Sequence, residues 1–412
     1  MAEIIVAGAG ILGVSTAIWL QRAGHNVTII DRTGPAAGTS YGNAGVLAAG
    51  GVVPVTTPGL LRKAPQMLLG RDEPLFLKWS YLPKLLPWLV KYLRTANDAH
   101  VNHYAAAMAA ILHDSVEQHQ ALAADTPAAK FITTEDYCFG YPTKTDFEAD
   151  AYAWSIRKKH GVEYEVVSGA EYGQYDPLYA SNFGTVVRCK NHGRISDPGA
   201  YVTALADHFV AQGGTLTIAE ITDAIRDGDA IKGFKTSMGD IRGDHAVTAL
   251  GAWSKPLGKK LGLNIDLESE RGYHIELINP SHMPVAPMMV AAAKFVITPM
   301  QGRIRCAGIV EFGGLTAKPS RAPFELLKRQ FTRFLPQITY DRIDEWMGHR
   351  PAPADSLPLI GATNSTNTAF AALGHQHVGL TGGPKTGRII AGLIDGKRPN
   401  IDLAPFDPQK YR

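Results

Sequence analysis

Cysteine is nearly missing from this 412-residue chain: Cys138, Cys189 and Cys306 are far apart and odd in number. No disulfide framework, zinc site or CxxC redox pair can be built from such neighbours, which points to a reducing, cytoplasmic compartment. An excess of either charge is missing too. Lysine and arginine number 41 against 38 acidic residues, a formal +3 without basic blocks, so a nucleic-acid partner is not expected. No apolar run suits a membrane span. Residues 33–61 carry no charge, but seven are glycine and three proline, so a helix there would break. The apolar stretch Ile4 to Leu20 follows Glu3 rather than a positive segment, unlike an export signal. Internal repeats and low-complexity segments are absent. None of the 14 histidines falls in an HxxxH or HExxH spacing, so no metal site is expected. No G-x-S-x-G elbow precedes a helix, which leaves hydrolase chemistry without support. Gly382-Gly-Pro-Lys385-Thr386 lacks the full phosphate-loop spacing and reads as a helix start.

What is present is apolar mass. Hydrophobic residues make 45% of the chain and charged residues 19%, enough to bury a large core, and the length suggests two to three domains. Glycine, at 42 residues, exceeds its usual share of about 7%. Backbone that must pass close to something is a use for that excess.

Ile4 to Ala7 reads as a short buried strand, followed by Gly8-Ala-Gly10-Ile11-Leu12-Gly13 and a helix through about Ala23, with Gly24 as its stop. Val27 to Ile30 is a second buried strand, ending at Asp31, which closes a βαβ unit. Residues 60–125 read as helical, with one longer alanine-rich helix from Ala99 to Ala124. Strands follow near 131–141 and 162–167, with a helix at about 146–160 between them. Asp197 and Pro198 open a helix running to about Gln212. Thr215–Ile218, a hairpin around Gly228, and His245 to Leu250 come next. Residues 267–312 read as antiparallel strands and 323–335 as a helix. Pro358–Gly361, Ala369–Ala372 and a helix from Thr381 to Ile394 return to α/β style. This order predicts an α/β protein: a Rossmann-like cofactor domain over 1–60, 190–265 and 345–412, discontinuous because an α+β substrate domain with a mixed, largely antiparallel sheet (61–189 and 266–344) is inserted in it.

The G-x-G-x-x-G spacing gains its meaning from this context. Gly8 permits the tight turn, Gly10 lets backbone approach a pyrophosphate, and Gly13 lets helix and strand pack closely. Asp31 would accept hydrogen bonds from the adenosine ribose. The spacing alone does not choose between FAD and NAD. Thr39-Ser40-Tyr-Gly-Asn43-Ala44-Gly45, small and polar, offers a second loop that could wrap a long cofactor.

Six motifs in order carry a family resemblance: IIVAGAGILGVSTAIWLQRAGHNVTIIDR, TSYGNAG, LGAWSKPLG, RGYHIEL, WMGHRPAPADSLPLIG and GHQHVGLTGGPKTGR. The chain resembles the FAD-dependent D-amino-acid oxidase superfamily, in particular its D-amino-acid dehydrogenase, D-hydroxyproline dehydrogenase and glyphosate oxidoreductase branch. The resemblance implies non-covalent FAD held by Gly8, Gly10, Ile11, Leu12, Gly13, Asp31 and Arg32 at the adenosine half. Thr39, Ser40, Asn43, Ala44, Gly45 and Val46 would lie along the pyrophosphate and flavin. Ile221 would meet the adenine through its backbone, Gly251 and Trp253 would close over the cofactor, and Val378, Gly379, Leu380 and Thr381 would set a helix N-terminus beside the flavin.

The implied reaction is dehydrogenation of a small D-amino acid or related secondary amine, with hydride passing from Cα to flavin N5 and the imine then hydrolysing. The alternatives are a subunit of a heteromeric D-hydroxyproline or opine-type dehydrogenase and a glycine- or glyphosate-type oxidoreductase. Oxygen, a quinone or a partner subunit would reoxidise the flavin. Arg350 would clamp the substrate carboxylate. Tyr273 and His274 would sit on the neighbouring strand, where alternation alone does not say which points inward. His377 falls where some relatives carry a second arginine. Finally, residues 75–94 combine Trp79, Tyr81, Trp88 and Tyr92 with Lys78, Lys84 and Lys91. That mixture suits peripheral contact with the inner face of a membrane, a lid, or packing over the substrate domain.

Overall fold

A computed structural model describes residues 1–60, 62, 70 and 72–411. The N-terminal βαβ unit forms as its pattern dictates: strand Glu3–Ala7, helix Ile11–Arg22, strand Asn26–Asp31. Gly24, at φ +88°, takes the left-handed turn after the helix, and the His25 N–H returns to the Leu20 carbonyl. These strands pair in parallel, and the sheet grows outward on both sides. Thr215–Ile218 adds to Asn26–Asp31; His245–Thr248 and then Ala369–Leu373 add beside Glu3–Ala7. Leu359–Ala362 closes the edge in antiparallel fashion.

Alternation along the first strand sets the layers. Ile4 and Val6 pack into the cluster containing Val14, Leu205 and Ile390 from helices Ile11–Arg22, Pro198–Ala211 and Gly379–Ile394. Ile5 and Ala7 face the other way, against Ile221 and Phe234 of a three-stranded antiparallel sheet (221–227, 230–236, 239–242). The architecture is thus a Rossmann-like α/β unit with an α+β unit inserted in it, as the element order predicts.

The inserted unit is built on a second, largely antiparallel sheet. In spatial order its strands are Arg342–Pro353, Leu267–Ile278, Arg303–Phe312, Phe295–Met300, Met288–Val290, Ile132–Tyr141, Thr185–Ile195 and Val46–Leu47. Leu75–Leu77 and Tyr164–Ser168 attach to its sides. Val46 pairs with Arg194, so the glycine-rich loop 39–45 runs straight into this sheet and ties the two units together. On one face Tyr273, Ile275 and Leu277 pack against Phe324, Leu327 and Phe331 of helix Arg321–Phe334. The opposite face looks toward loop 39–46.

Several expected elements differ in the structure. The single helix over 99–124 is two, Asp98–Leu112 and Ser115–Ala123, and Asp114 at the break pairs with Lys385 Nζ at 2.8 Å. The helix over 146–160 likewise divides at Asp150. The expectation of helix over 60–125 also meets a strand at Leu75–Leu77, and residues 61, 63–69 and 71 lie outside the described residues. Arg342–Pro353 keeps extended geometry through Pro351 and Pro353 because it is an edge strand, where a missing N–H costs no ladder bond.

Candidate active site

Three glycines shape the first turn. A Cβ on Gly13 would lie 1.8 Å from the Gly8 carbonyl oxygen, so helix and strand approach at a distance only glycine permits. Gly8, at φ +107°, lies against Ala249, and the helix beginning at Ile11 has no side-chain cap at Gly10. Asp31 steadies the turn: Oδ2 accepts the Ala9 N–H at 2.8 Å, while Oδ1 accepts those of Thr33 and Gly34 at 2.9 and 3.0 Å. Arg32 lies 3.7 Å over the ring of Trp253, which brings the Gly251 turn beside the end of that strand. Ile221 belongs to the same apolar cluster as Ala7 and Ile30. Ala219, two residues before it, donates its N–H to the Asp31 carbonyl.

Ser40 joins this turn to the second loop, its Oγ accepting the Ile11 N–H at 2.9 Å. Loop 39–46 is fixed at almost every residue. Thr39 Oγ1 donates to the His349 carbonyl at 2.8 Å, and Arg305 holds the carbonyls of Tyr41 and Asn43. Asn43 Oδ1 accepts the Gly45 N–H at 2.8 Å, bracketing Ala44. Arg305 is itself buried, and Glu276 at 2.7 Å neutralises it. The C-terminal helix begins alongside: Thr381 Oγ1 donates to the Val46 carbonyl, the Leu12 side chain lies beside Gly379, and Val378 packs by Gly51. His119, neutral because burial lowers its pKa to about 4, holds the Leu380 carbonyl through Nε2 and Tyr201 through Nδ1. Lys385, within the sequence that resembled a phosphate loop, is paired with Asp114. Two helix N-termini, neither capped by the side chain of its own N-cap residue, thus converge with a braced glycine-rich loop. Such a cradle fits the phosphates and ring of a long dinucleotide.

The opposite wall comes from two paired strands, Leu267–Ile278 and Arg342–Pro353. Their register sets Glu270 opposite Arg350, Gly272 opposite Gly348, and His274 opposite Trp346, on the face that looks toward the loop. The glycine pair makes a flat floor. A Cβ on Gly272 would lie 2.4 Å from Arg350 Cζ, and one on Gly348 would lie 2.0 Å from Trp346 Cη2, so both side chains recline over backbone. Arg350 donates to the Ile309 carbonyl at 3.0 Å and the Gly308 carbonyl at 3.2 Å. Ile309 sits at a bulge between the strands with φ +59°, a strained conformation for a β-branched residue.

His274 stacks on Trp346 and donates from Nδ1 to the Gly42 carbonyl at 3.2 Å; burial and the Arg305 charge hold its pKa well below the usual value. Tyr273, one residue earlier, points to the other face. There its hydroxyl donates to Glu311 at 2.5 Å, beside the buried Arg271–Glu311 pair at 2.6 Å. Gln376, at φ +45°, turns the chain so that His377 projects to the Arg350 wall. Burial and Arg350 lower the His377 pKa, and the open side of the ring, 38% exposed, limits the drop.

The structure therefore brings together Arg350, His377 and His274 with loop 39–46 and the start of helix Gly379–Ile394, and leaves Tyr273 behind the sheet. It adds a residue the motifs did not single out. Glu270, 2% exposed, faces Arg350 with His377 Nε2 at 3.6 Å from its Oε2. Tyr92 and Tyr104, from helices Leu82–Arg94 and Asp98–Leu112, close the same corner. Burial first, then the Glu270 charge, raises the pKa of both.

A family profile described as DAO, FAD dependent oxidoreductase, matches residues 3–393. The chain is 38% identical over 416 residues to a D-amino-acid oxidase of Bradyrhizobium diazoefficiens, covering 99% of each protein. It is 30% identical over 419 residues to a D-amino acid dehydrogenase of Rhizorhabdus wittichii, covering 99% of this chain and 100% of that one. Among solved structures, glycine oxidase from Geobacillus kaustophilus is similar in fold, with a TM-score of 0.75 at 20% identity over 100% of this chain and 99% of that one. L-proline dehydrogenase from P. horikoshii gives 0.72 at 20% identity, over 100% and 97%.

Proposed function

This chain belongs to the DAO family of FAD-dependent oxidoreductases, and from that premise we propose that it oxidises the Cα–N bond of a small D-amino acid or related secondary amine. The names of its sequence relatives, D-amino-acid oxidase and D-amino acid dehydrogenase, support that substrate class. Bound FAD supplies the two-electron acceptor for the C–H bond beside nitrogen, and water then hydrolyses the imine.

The observation that carries the proposal is Arg350. Its guanidinium is fixed by two backbone carbonyls and lies flat on the wall facing loop 39–46. In that position it binds the substrate carboxylate with paired hydrogen bonds and orients Cα. His377 lines the same wall. His274 positions loop 39–46 through the Gly42 carbonyl, and Tyr273 braces the strand from behind through Glu311.

The cofactor residues named from the resemblance keep their roles in this proposal. So does the division into a discontinuous cofactor domain and a substrate domain. Its support is that the parallel sheet draws strands from 3–31, 215–248 and 359–373, whereas the second sheet draws most of its strands from 132–195 and 267–353. Oxygen, a quinone or a partner subunit takes the electrons in a cytoplasmic enzyme. The test is a panel of D- and L-amino acids, D-hydroxyproline, glycine, sarcosine and glyphosate with an artificial dye acceptor. Turnover of one or more D-amino acids or secondary amines supports the proposal; reduction of dye by none of them overturns it.

Peripheral membrane contact by residues 75–94 is a second proposal. Trp88 and Tyr92 face inward and stack on each other at 4.6 Å, but Trp79 (62%), Leu86 (51%) and Val90 (40%) are exposed near Lys84 and Lys91. Among the described residues no helix is long and apolar enough to cross a membrane. Flotation with anionic vesicles at low salt checks this contact, and protein left at the bottom of the gradient contradicts it.

A further inference from the structure

Glu270 is a buried charge that its own chain does not satisfy. Its side chain is 2% exposed, and Oε2 has no hydrogen-bond partner among the described residues. Among the described residues, the titratable groups set against it are Arg350 from the neighbouring strand, His377 from the turn before the last helix, and Tyr92 and Tyr104 from two helices. None supplies a hydrogen bond. Arg350 turns its donors to Gly308 and Ile309, and His377 Nε2 at 3.6 Å is too far. An unpaired carboxylate in such a place costs several kcal/mol, so a purely structural residue would be paired or replaced. Burial accordingly pushes the Glu270 carboxyl up to about 7 against the pull of Arg350.

Glu270 Oε2 can still accept a hydrogen bond, and Arg350 beside it is suited to an anion. An amino acid carries both a donor and an anion. We propose that Glu270 recognises the substrate's amino group, its free oxygen accepting a hydrogen bond from one N–H while Arg350 holds the carboxylate. The inference rests on the amino-acid substrate class proposed above. It also gives Glu270 a proton to move. An incoming ammonium transfers H⁺ to the carboxylate, one N–H bond breaking as one O–H bond forms, which leaves a neutral amine whose lone pair can assist loss of the Cα hydrogen.

The test compares the FAD-loaded wild type with Glu270→Gln, which keeps the shape and removes the charge. Two probes serve: the best amino acid of the panel, and the carboxylic acid that lacks only its amino group. For the amino acid, kcat/KM should fall about a hundredfold in the variant. The wild type should lose activity as pH drops through about 7, and the variant should lose that limb of the profile. For the deaminated acid the sign reverses. Removing a like charge should tighten binding about tenfold, read by calorimetry without turnover. A structural role would not produce that opposite pair of effects. Unchanged ratios and an unchanged pH profile, in a wild type that oxidises amino acids, overturn the role of Glu270 alone. A wild type that neither oxidises the panel nor binds the acids overturns the substrate class as well. If Glu270→Gln fails to hold FAD, Glu270→Asp should retain preference for the amino acid over the deaminated acid, and its loss would contradict the proposal.

Discussion

Arg350 lies on Gly272: the guanidinium carbon occupies the place where a side chain at residue 272 would begin, 2.4 Å from an ideal Cβ. The glycine is therefore part of how the arginine is aimed. Gly272→Ala should displace the guanidinium while leaving the helices that hold the cofactor untouched. We expect FAD content near wild type and a loss of about a hundredfold in kcat/KM, the order that a displacement of about 1 Å costs. Full activity in this variant would show that Arg350 does not depend on the flat floor.

Arg350→Lys tests the clamp itself. Lysine keeps the charge but not the fork that pairs with a carboxylate. The expected loss is about 2–4 kcal/mol in transition-state binding, about thirty- to a thousandfold in kcat/KM, with FAD retained. A value within threefold of wild type on the best amino-acid substrate would remove Arg350 from the assignment.

FAD should be released by acid. Cys138, Cys189 and Cys306 are all buried, and burial holds the Cys138 and Cys189 thiols at about 12, so neither is poised to attack a flavin. Cys306 is fully buried in strand Arg303–Phe312, and the segment Arg350 to Gly361 contains no cysteine. Acid precipitation should leave the yellow colour in the supernatant. Colour in the pellet would mean a covalent link.

Acid should unfold the protein partly through His119. Its ring is fully buried, and burial lowers its pKa to about 4 from an ordinary value near 6.5. The unfolded chain therefore takes up a proton before the folded one does. Stability from this group is complete above pH 6.5 and declines as pH falls toward 4, by about 3 kcal/mol in all. Thermal melts between pH 7 and 4 should show a smaller fall in Tm for His119→Gln than for wild type. Parallel melting curves would contradict this source of acid sensitivity.

The parts of this protein legible in its sequence are those fixed by neighbours along the chain. The turn Gly8 to Gly13, the stop at Gly24 and the strand end at Asp31 are local, and the structure shows each. Strand Thr185–Ile195 went unforeseen because charges at Arg188, Lys190 and Arg194 interrupt its alternation. All three are neutralised by Asp136 and Glu135 on the adjacent strand, out of reach of any sequence window. Glu270 was invisible for the same reason. Its meaning depends on a register that sets it opposite a residue eighty positions later. The choice between Tyr273 and His274 waited on that register too, since a strand's inward face is undefined until its partners are known.

The most direct measurement is anaerobic mixing of the FAD-loaded protein with single amino acids while the visible flavin band is followed. The account predicts that small D-amino acids or secondary amines bleach the band in the absence of any other reductant. It also predicts that Arg350→Lys slows the bleaching without changing the spectrum of the oxidised form. A band that no amino acid bleaches, but that a reduced nicotinamide nucleotide does, would contradict it.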